Sequence, residues 1–120
     1  MKNKIYHLSS CSTTKKILDQ MSNLEKVDMI NIKESNISEK DLDYCAKKLG
    51  SYDALFSKKA MKYRELGLNK IELSEDQIKH YILEEYTFLK RPVSIINGKV
   101  FAGNTNDVVI GLEKELKSLD

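Results

Sequence analysis

Cys11 is where this 120-residue chain can do chemistry. It follows the hydroxyl pair Ser9-Ser10 and leads into Ser12, Thr13 and Thr14, with Lys15 and Lys16 next. Ile5, Tyr6 and Leu8 alternate as a short strand, and Ile17, Leu18 and Met21 fall at helical spacing. The cysteine therefore stands where a strand hands over to a helix. Unpaired N–H groups and the dipole at a helix N-terminus favour negative charge, which lowers a cysteine pKa from roughly 8.5 toward 7 or below. The same groups can hold an oxyanion, with Ser12, Thr13 and Thr14 as further donors. A thiolate beside an anion-binding turn is a candidate nucleophile. The alternative is a cysteine that packs as a small hydrophobe. His7 raises the thiolate fraction if its ring points at the turn, and is otherwise packed or solvated.

The second cysteine, Cys45, lies on a stripe with Leu42, Ala46 and Leu49, so burial is expected for it. Two cysteines are too few for a secreted disulfide framework, which points to thiols in a reducing, cytoplasmic compartment. His7 and His80 are far apart and no paired Cys or His spacing occurs, so no metal is expected.

The elements that must hold Cys11 follow in order. Val27, Met29, Ile30 and Ile32 make a second strand, completing a βαβ unit with parallel strands. Ser38 caps a helix over 39–49 that Gly50 closes. Residues 52–59 are expected to add a helical turn with Leu55 and Phe56 inward, followed by Tyr63 to Leu68 with Gly67 as a C-cap. Ser74-Glu75-Asp76-Gln77 is a capping box for a helix to about Glu85. The only proline, Pro92, precedes Val93 to Ile96, and Asn97-Gly98 is a hairpin turn to a strand at Val100 and Phe101. A turn at Gly103-Asn104 leads to a last helix from Asp107 to Leu119, with Val108, Val109, Leu112, Leu116 and Leu119 on one face. The expected fold is α/β: a thioredoxin-like four-stranded mixed sheet flanked by helices, one domain over 1–120 with a helical insertion at about 38–86.

At 41% hydrophobic and 32% charged, the composition is that of an ordinary globular protein. A net charge of +2 is too small to imply nucleic acid or acidic membrane as partner. No apolar run approaches a membrane span, and polar His7, Ser9 and Ser10 interrupt any signal-peptide core. A monomer is expected.

Three pieces in this order resemble the arsenate reductase family of thioredoxin-like proteins, which also includes the Spx-type regulators. They are the Cys11 turn, Leu55-Phe56 with Tyr63-Arg64-Glu65-Leu66-Gly67-Leu68, and Leu89-Lys90-Arg91-Pro92 before the hairpin. The likeness runs nearly end to end. It implies that Cys11 is the nucleophile on an oxyanion, Arg91 an anion contact, and Pro92 a cis proline facing the cysteine. It also shows departures. Ser57 stands where the family's arsenate reductases carry one arginine, and Asn104 or a neighbour where they carry another. Lys58 or Lys59 can replace the first, but an ammonium is a point charge without the bidentate fork. Thr14 occupies the position of the second cysteine in Spx-type proteins, so there is no CxxC switch.

The leading expectation is a single-cysteine thiol reductase in which Cys11 attacks an oxyanion or a disulfide. An external thiol, glutathione or glutaredoxin, resolves the adduct. Arsenate reduction is expected to be weak or absent. The alternatives are a non-catalytic, Spx-like regulatory or binding member of the family, or resolution of Cys11 by Cys45 after a local rearrangement.

Overall fold

The computed structural model describes residues 2–120, which divide into two compact units, one of residues up to Ser35 together with Arg91–Asp120, the other Asn36–Lys90. The first unit holds strands β1 (Lys4–His7), β2 (Asp28–Asn31), β3 (Val93–Ile96) and β4 (Lys99–Ala102) with helices α1 (Ser12–Asp19) and α5 (Asn106–Lys117). The second holds α2 (Glu39–Leu49), α3 (Met61–Glu65) and α4 (Glu75–Glu84).

The sheet order is β2-β1-β3-β4. β1 and β2 are parallel, with Ile5 opposite Met29 and His7 opposite Asn31, and the other two pairings are antiparallel. This is the mixed thioredoxin-like sheet. Asn97 and Gly98 both take positive φ, at 53° and 77°, as a two-residue hairpin turn of the primed type requires. Alternation along the strands sends Ile5 and Ile96 to one face, where they pack with Leu18 of α1, Val27, and Leu112 and Leu116 of α5. Each of these large side chains contributes about 1.5–3 kcal/mol by leaving water. That cluster holds α1, and with it Cys11, against the sheet. Val27 and Ile32 lie just outside β2, and Leu8 just past β1, all three buried.

Ser94 shares this face through its pairing with Ile5 and Phe101, is fully buried, and its Oγ has no hydrogen-bond partner. A desolvated hydroxyl without a partner costs about 1–3 kcal/mol. Ser94→Ala is therefore expected to leave stability unchanged or raise it by about 1 kcal/mol in urea unfolding. A loss of that size would show instead that the hydroxyl is bonded.

In the second unit, Ser38 Oγ accepts from the Asp41 N–H at the start of α2, and Gly50, at φ 98°, ends the helix. Cys45 is fully buried. Leu49 is exposed, because it occupies the last turn, where the buried stripe has run past the packing. The capping box at α4 closes in both directions, with Gln77 N–H on Ser74 Oγ at 3.2 Å and Ser74 N–H on Gln77 Oε1 at 2.8 Å. Phe88 lies tilted against Phe56, with centroids 5.3 Å apart, and edge-on to Tyr81, at 5.7 Å.

The helical turn expected over 52–59 is shorter. A 3-10 turn covers Asp53–Leu55, after which Phe56 is extended and bridges to Leu89. Ser57 N–H donates to Phe88 O at 2.7 Å and Lys90 N–H to Leu55 O at 2.9 Å. Phe56 and Leu89 are buried, so their neighbours' backbone groups need partners, and extended pairing supplies them where one more helical turn would not.

Candidate active site

The site is built on the turn between β1 and α1. The Cys11 N–H donates to Leu8 O at 3.0 Å, which closes Ser9 and Ser10 into a tight turn. Asn31, at the end of β2, pins that turn, with its Nδ2 donating to Ser9 Oγ at 2.9 Å and its Oδ1 receiving the Ser9 N–H at 3.5 Å. Parallel pairing of β1 with β2 places Asn31 opposite His7 and so beside the turn. Cys11 is the N-cap of α1, with extended backbone (φ −90°, ψ 106°), and its carbonyl accepts from the Lys15 N–H.

Thr14 separates from the other two hydroxyl residues. Three residues after the cap it points inward, is 1% exposed, and its Oγ1 donates to Cys11 Sγ at 3.2 Å. Ser12 and Thr13 are exposed on the first turn, where backbone N–H groups lack intrahelical acceptors. Partial burial pushes the Cys11 thiol up. The Thr14 hydroxyl and N–H and the Arg91 guanidinium act against it more strongly, and together they hold the thiol below its ordinary value. Arg91 is thus drawn to the sulfur by a hydrogen bond and by charge. The Arg91–Pro92 peptide bond is cis, and Pro92 O accepts from the Gly103 N–H at 2.9 Å. Cys11 itself is partly exposed and outside any disulfide, so a thiolate there can be approached from solvent.

Other expected site residues make contacts of their own. His7 is half-buried and lines a groove with Leu8, Thr14, Leu18, Leu24 and Met29. Its desolvation lowers its pKa, with Glu34 opposing, so the ring is neutral at pH 7. Thr14 and Arg91, not His7, are the groups that act on the thiol. Lys58 belongs to the second unit, where its Nζ lies 3.7 Å from Asp53 Oδ1 and its side chain is largely exposed. Asn104 is exposed beyond β4. Reading the sequence singled out Thr14 only as one of three hydroxyls, and did not single out Asn31. The signal for Thr14 was its place three residues after a cap, where a side chain meets the capping group.

Among the described residues, no group of three or more His, Cys, Asp or Glu side chains gathers to hold a metal ion. No helix among them is long and apolar enough to cross a membrane.

The fold is shared with solved structures. An arsenate reductase from Vibrio cholerae is 25% identical, with a TM-score of 0.73 over 99% of this chain and 98% of that one. A Staphylococcus aureus protein is 26% identical, with a TM-score of 0.68 over 88% and 93%. An ArsC family related protein from Bacteroides fragilis, at 20% identity, has a TM-score of 0.78 over 93% and 99%. No curated protein matches the chain. The model of the ArsC family matches residues 6–111, a span that takes in the Cys11 turn, Arg91-Pro92 and the whole sheet, and the chain belongs to that family.

Proposed function

We propose that the protein is a single-cysteine thiol oxidoreductase of the arsenate reductase-like kind, acting on small disulfides or oxyanions with glutathione or glutaredoxin as the external reductant. The observation that carries this reading is the 3.2 Å hydrogen bond from buried Thr14 to Cys11 Sγ, with Arg91 acting on the same sulfur. A cysteine kept only for packing needs neither. On a disulfide, the Cys11 thiolate attacks one sulfur, the S–S bond breaks, and the other half leaves as a thiolate. The external thiolate then attacks the substrate sulfur of the mixed disulfide and returns Cys11 as thiolate, and a second external thiolate displaces that substrate sulfur from the first, so one disulfide is reduced as two external thiols are oxidised. On an oxyanion, sulfur bonds to the central atom as one oxygen is protonated and leaves as water, with Arg91 and the N–H groups of the first turn of α1 neutralising the charge that builds; two external thiols then release Cys11 and the oxyanion, reduced by two electrons, as they are oxidised to a disulfide. Thr14 stands where the second cysteine of a CxxC disulfide would be, and Cys45 is fully buried, which favours an external resolving thiol.

The test is glutathione-dependent turnover of a small disulfide, followed beside alkylation of each cysteine in the native protein. Cys11→Ser is expected to abolish turnover and Cys45→Ser to preserve it, with Cys11 alkylating fast and fully buried Cys45 slowly. Equal, slow labelling of both cysteines, or turnover that survives Cys11→Ser, would remove the proposal.

A further inference from the structure

We propose that the groove alongside Cys11 is a substrate subsite for the apolar organic arm of a small disulfide, and that such disulfides, rather than a bare oxyanion, are what the site selects. The inference rests on the reading of Cys11 as a thiol that attacks disulfides, and adds which ones. The groove, about 340 Å³, lies within the first unit and falls in the range of roughly 300–1,000 Å³ usual for small-molecule sites.

The residues that fix Cys11 in place also line this groove. Leu8 O accepts the Cys11 N–H, Ser9 belongs to the turn that this bond closes, Thr14 donates to Sγ at 3.2 Å, and the Lys15 N–H donates to Cys11 O at 3.0 Å. Along α1, Cys11, Thr14, Lys15 and Leu18 fall at i, i+3, i+4 and i+7, so the thiol heads the stripe that forms one wall. A group carried on the sulfur that Cys11 attacks has this wall beside it.

What the groove offers is apolar and without net charge. Leu18 of α1, Met29 of β2 and Leu24 before it supply the lining. Leu24 and Met29 pack against the core yet stay only partly buried, which leaves apolar surface facing the groove. Lys15 and Asp19 are exposed, one turn apart and opposite in sign, and the half-buried His7 ring is neutral at pH 7. A small oxyanion gains nothing from such a lining, because its donors are Arg91 and the first turn of α1. Only a substrate with a carbon arm on its sulfur has a use for it. In the reaction, the Cys11 thiolate attacks the sulfur that bears the arm, the S–S bond breaks, and the other sulfur leaves as a thiolate. The arm stays on Cys11 as a mixed disulfide, packed in the groove, until two external thiolates in turn reduce it to the free thiol.

The experiment follows single-turnover release of pyridine-2-thione from alkyl 2-pyridyl disulfides with ethyl, propyl, butyl and pentyl arms, while mass spectrometry locates the adduct. N-acetylcysteine gives the intrinsic reactivity of each reagent. Relative to it, the rate at Cys11 is expected to rise by about twofold to fourfold per methylene, the upper figure being that of full burial. The hydroxyethyl and aminoethyl reagents, matched to propyl in length, are expected to react about tenfold more slowly than propyl. Leu24→Gln combined with Met29→Gln is expected to flatten the series, and Ile110→Gln, on the exposed face of α5, to leave it unchanged. Circular dichroism reports that each variant is folded. Rates that do not rise with arm length in the unaltered protein would overturn the inference without any variant, and would leave the thiol reading standing. A slope that persists in the folded Leu24→Gln, Met29→Gln protein would overturn it too, because the selecting surface would lie elsewhere. A flat series beside fast reaction of a pyridyl-activated cysteine peptide with leucine neighbours would overturn it and assign the groove to a protein chain. An adduct that forms elsewhere than on Cys11 would remove the thiol reading, and this inference with it.

Discussion

Arg91→Met and Thr14→Val each move the pH profile of Cys11 alkylation upward and slow the reaction at pH 7, by about threefold to tenfold apiece. The sign follows from the site. The thiol is held below its ordinary value because the Thr14 hydroxyl donates to the sulfur and the Arg91 guanidinium is drawn to it. Removing either group favours the neutral thiol, so the thiolate fraction at a fixed neutral pH falls. The lower end of the range allows for solvent, which screens a partly exposed sulfur and makes each bond worth less than the same bond in a dry interior. Because both groups act on one atom, the double variant is expected to depart from the sum of the single effects. Arg91→Lys keeps the charge and loses the planar fork, so it should fall between wild type and Arg91→Met. Rates of iodoacetamide alkylation across pH, read against fully buried Cys45 as internal reference, check all of this. An unchanged profile in Arg91→Met would show that the guanidinium does not bear on the thiol.

The parts of this site that depend on local chemistry could be read from the sequence. Ser9-Ser10 breaks an apolar run, Ile17 and Leu18 start a helical period, and Cys11 falls between, so the strand-to-helix position of the thiol needs no tertiary information. The Ser74 to Gln77 capping box and the Asn97-Gly98 turn are equally local, and both form. Cys45 is buried because its neighbours repeat at helical spacing. What the sequence hid depends on pairing between distant segments. Asn31 reaches the Ser9 turn only because β1 and β2 pair in a register that puts it opposite His7. Phe56 leaves its helical turn early because Leu89 offers it an extended partner 33 positions away, a choice made by buried backbone groups and not by propensity. Thr14 lies between these cases: its spacing from Cys11 was visible, but its burial under α1 was not.

Arsenate reduction is where the family's chemistry and this chain should part. An arsenate dianion drawn partly out of water needs charge-assisted donors, each worth roughly 1.5–3 kcal/mol in the transition state. Arg91 supplies such a group, acting directly on Cys11. Ser57, and Asn104 or a neighbour, stand where the resemblance to the family's arsenate reductases implies arginines. Lys58, the nearest replacement in sequence for the first, already lies 3.7 Å from Asp53, and an ammonium lacks the planar two-donor edge that fits an oxyanion. Two missing donors amount to about two to four powers of ten in rate. In an assay coupled to glutathione and glutaredoxin, arsenate turnover is therefore expected to be lower by that factor than for a family enzyme with all three arginines, while small disulfides are still reduced. Ser57→Arg combined with Asn104→Arg should raise arsenate turnover and leave Cys11 alkylation unchanged. Arsenate turnover at the rate of the three-arginine enzyme in the unaltered protein would show that Arg91 and the first turn of α1 suffice for the anion. No gain in the double variant would show that the loss of arsenate chemistry lies elsewhere than in these two positions.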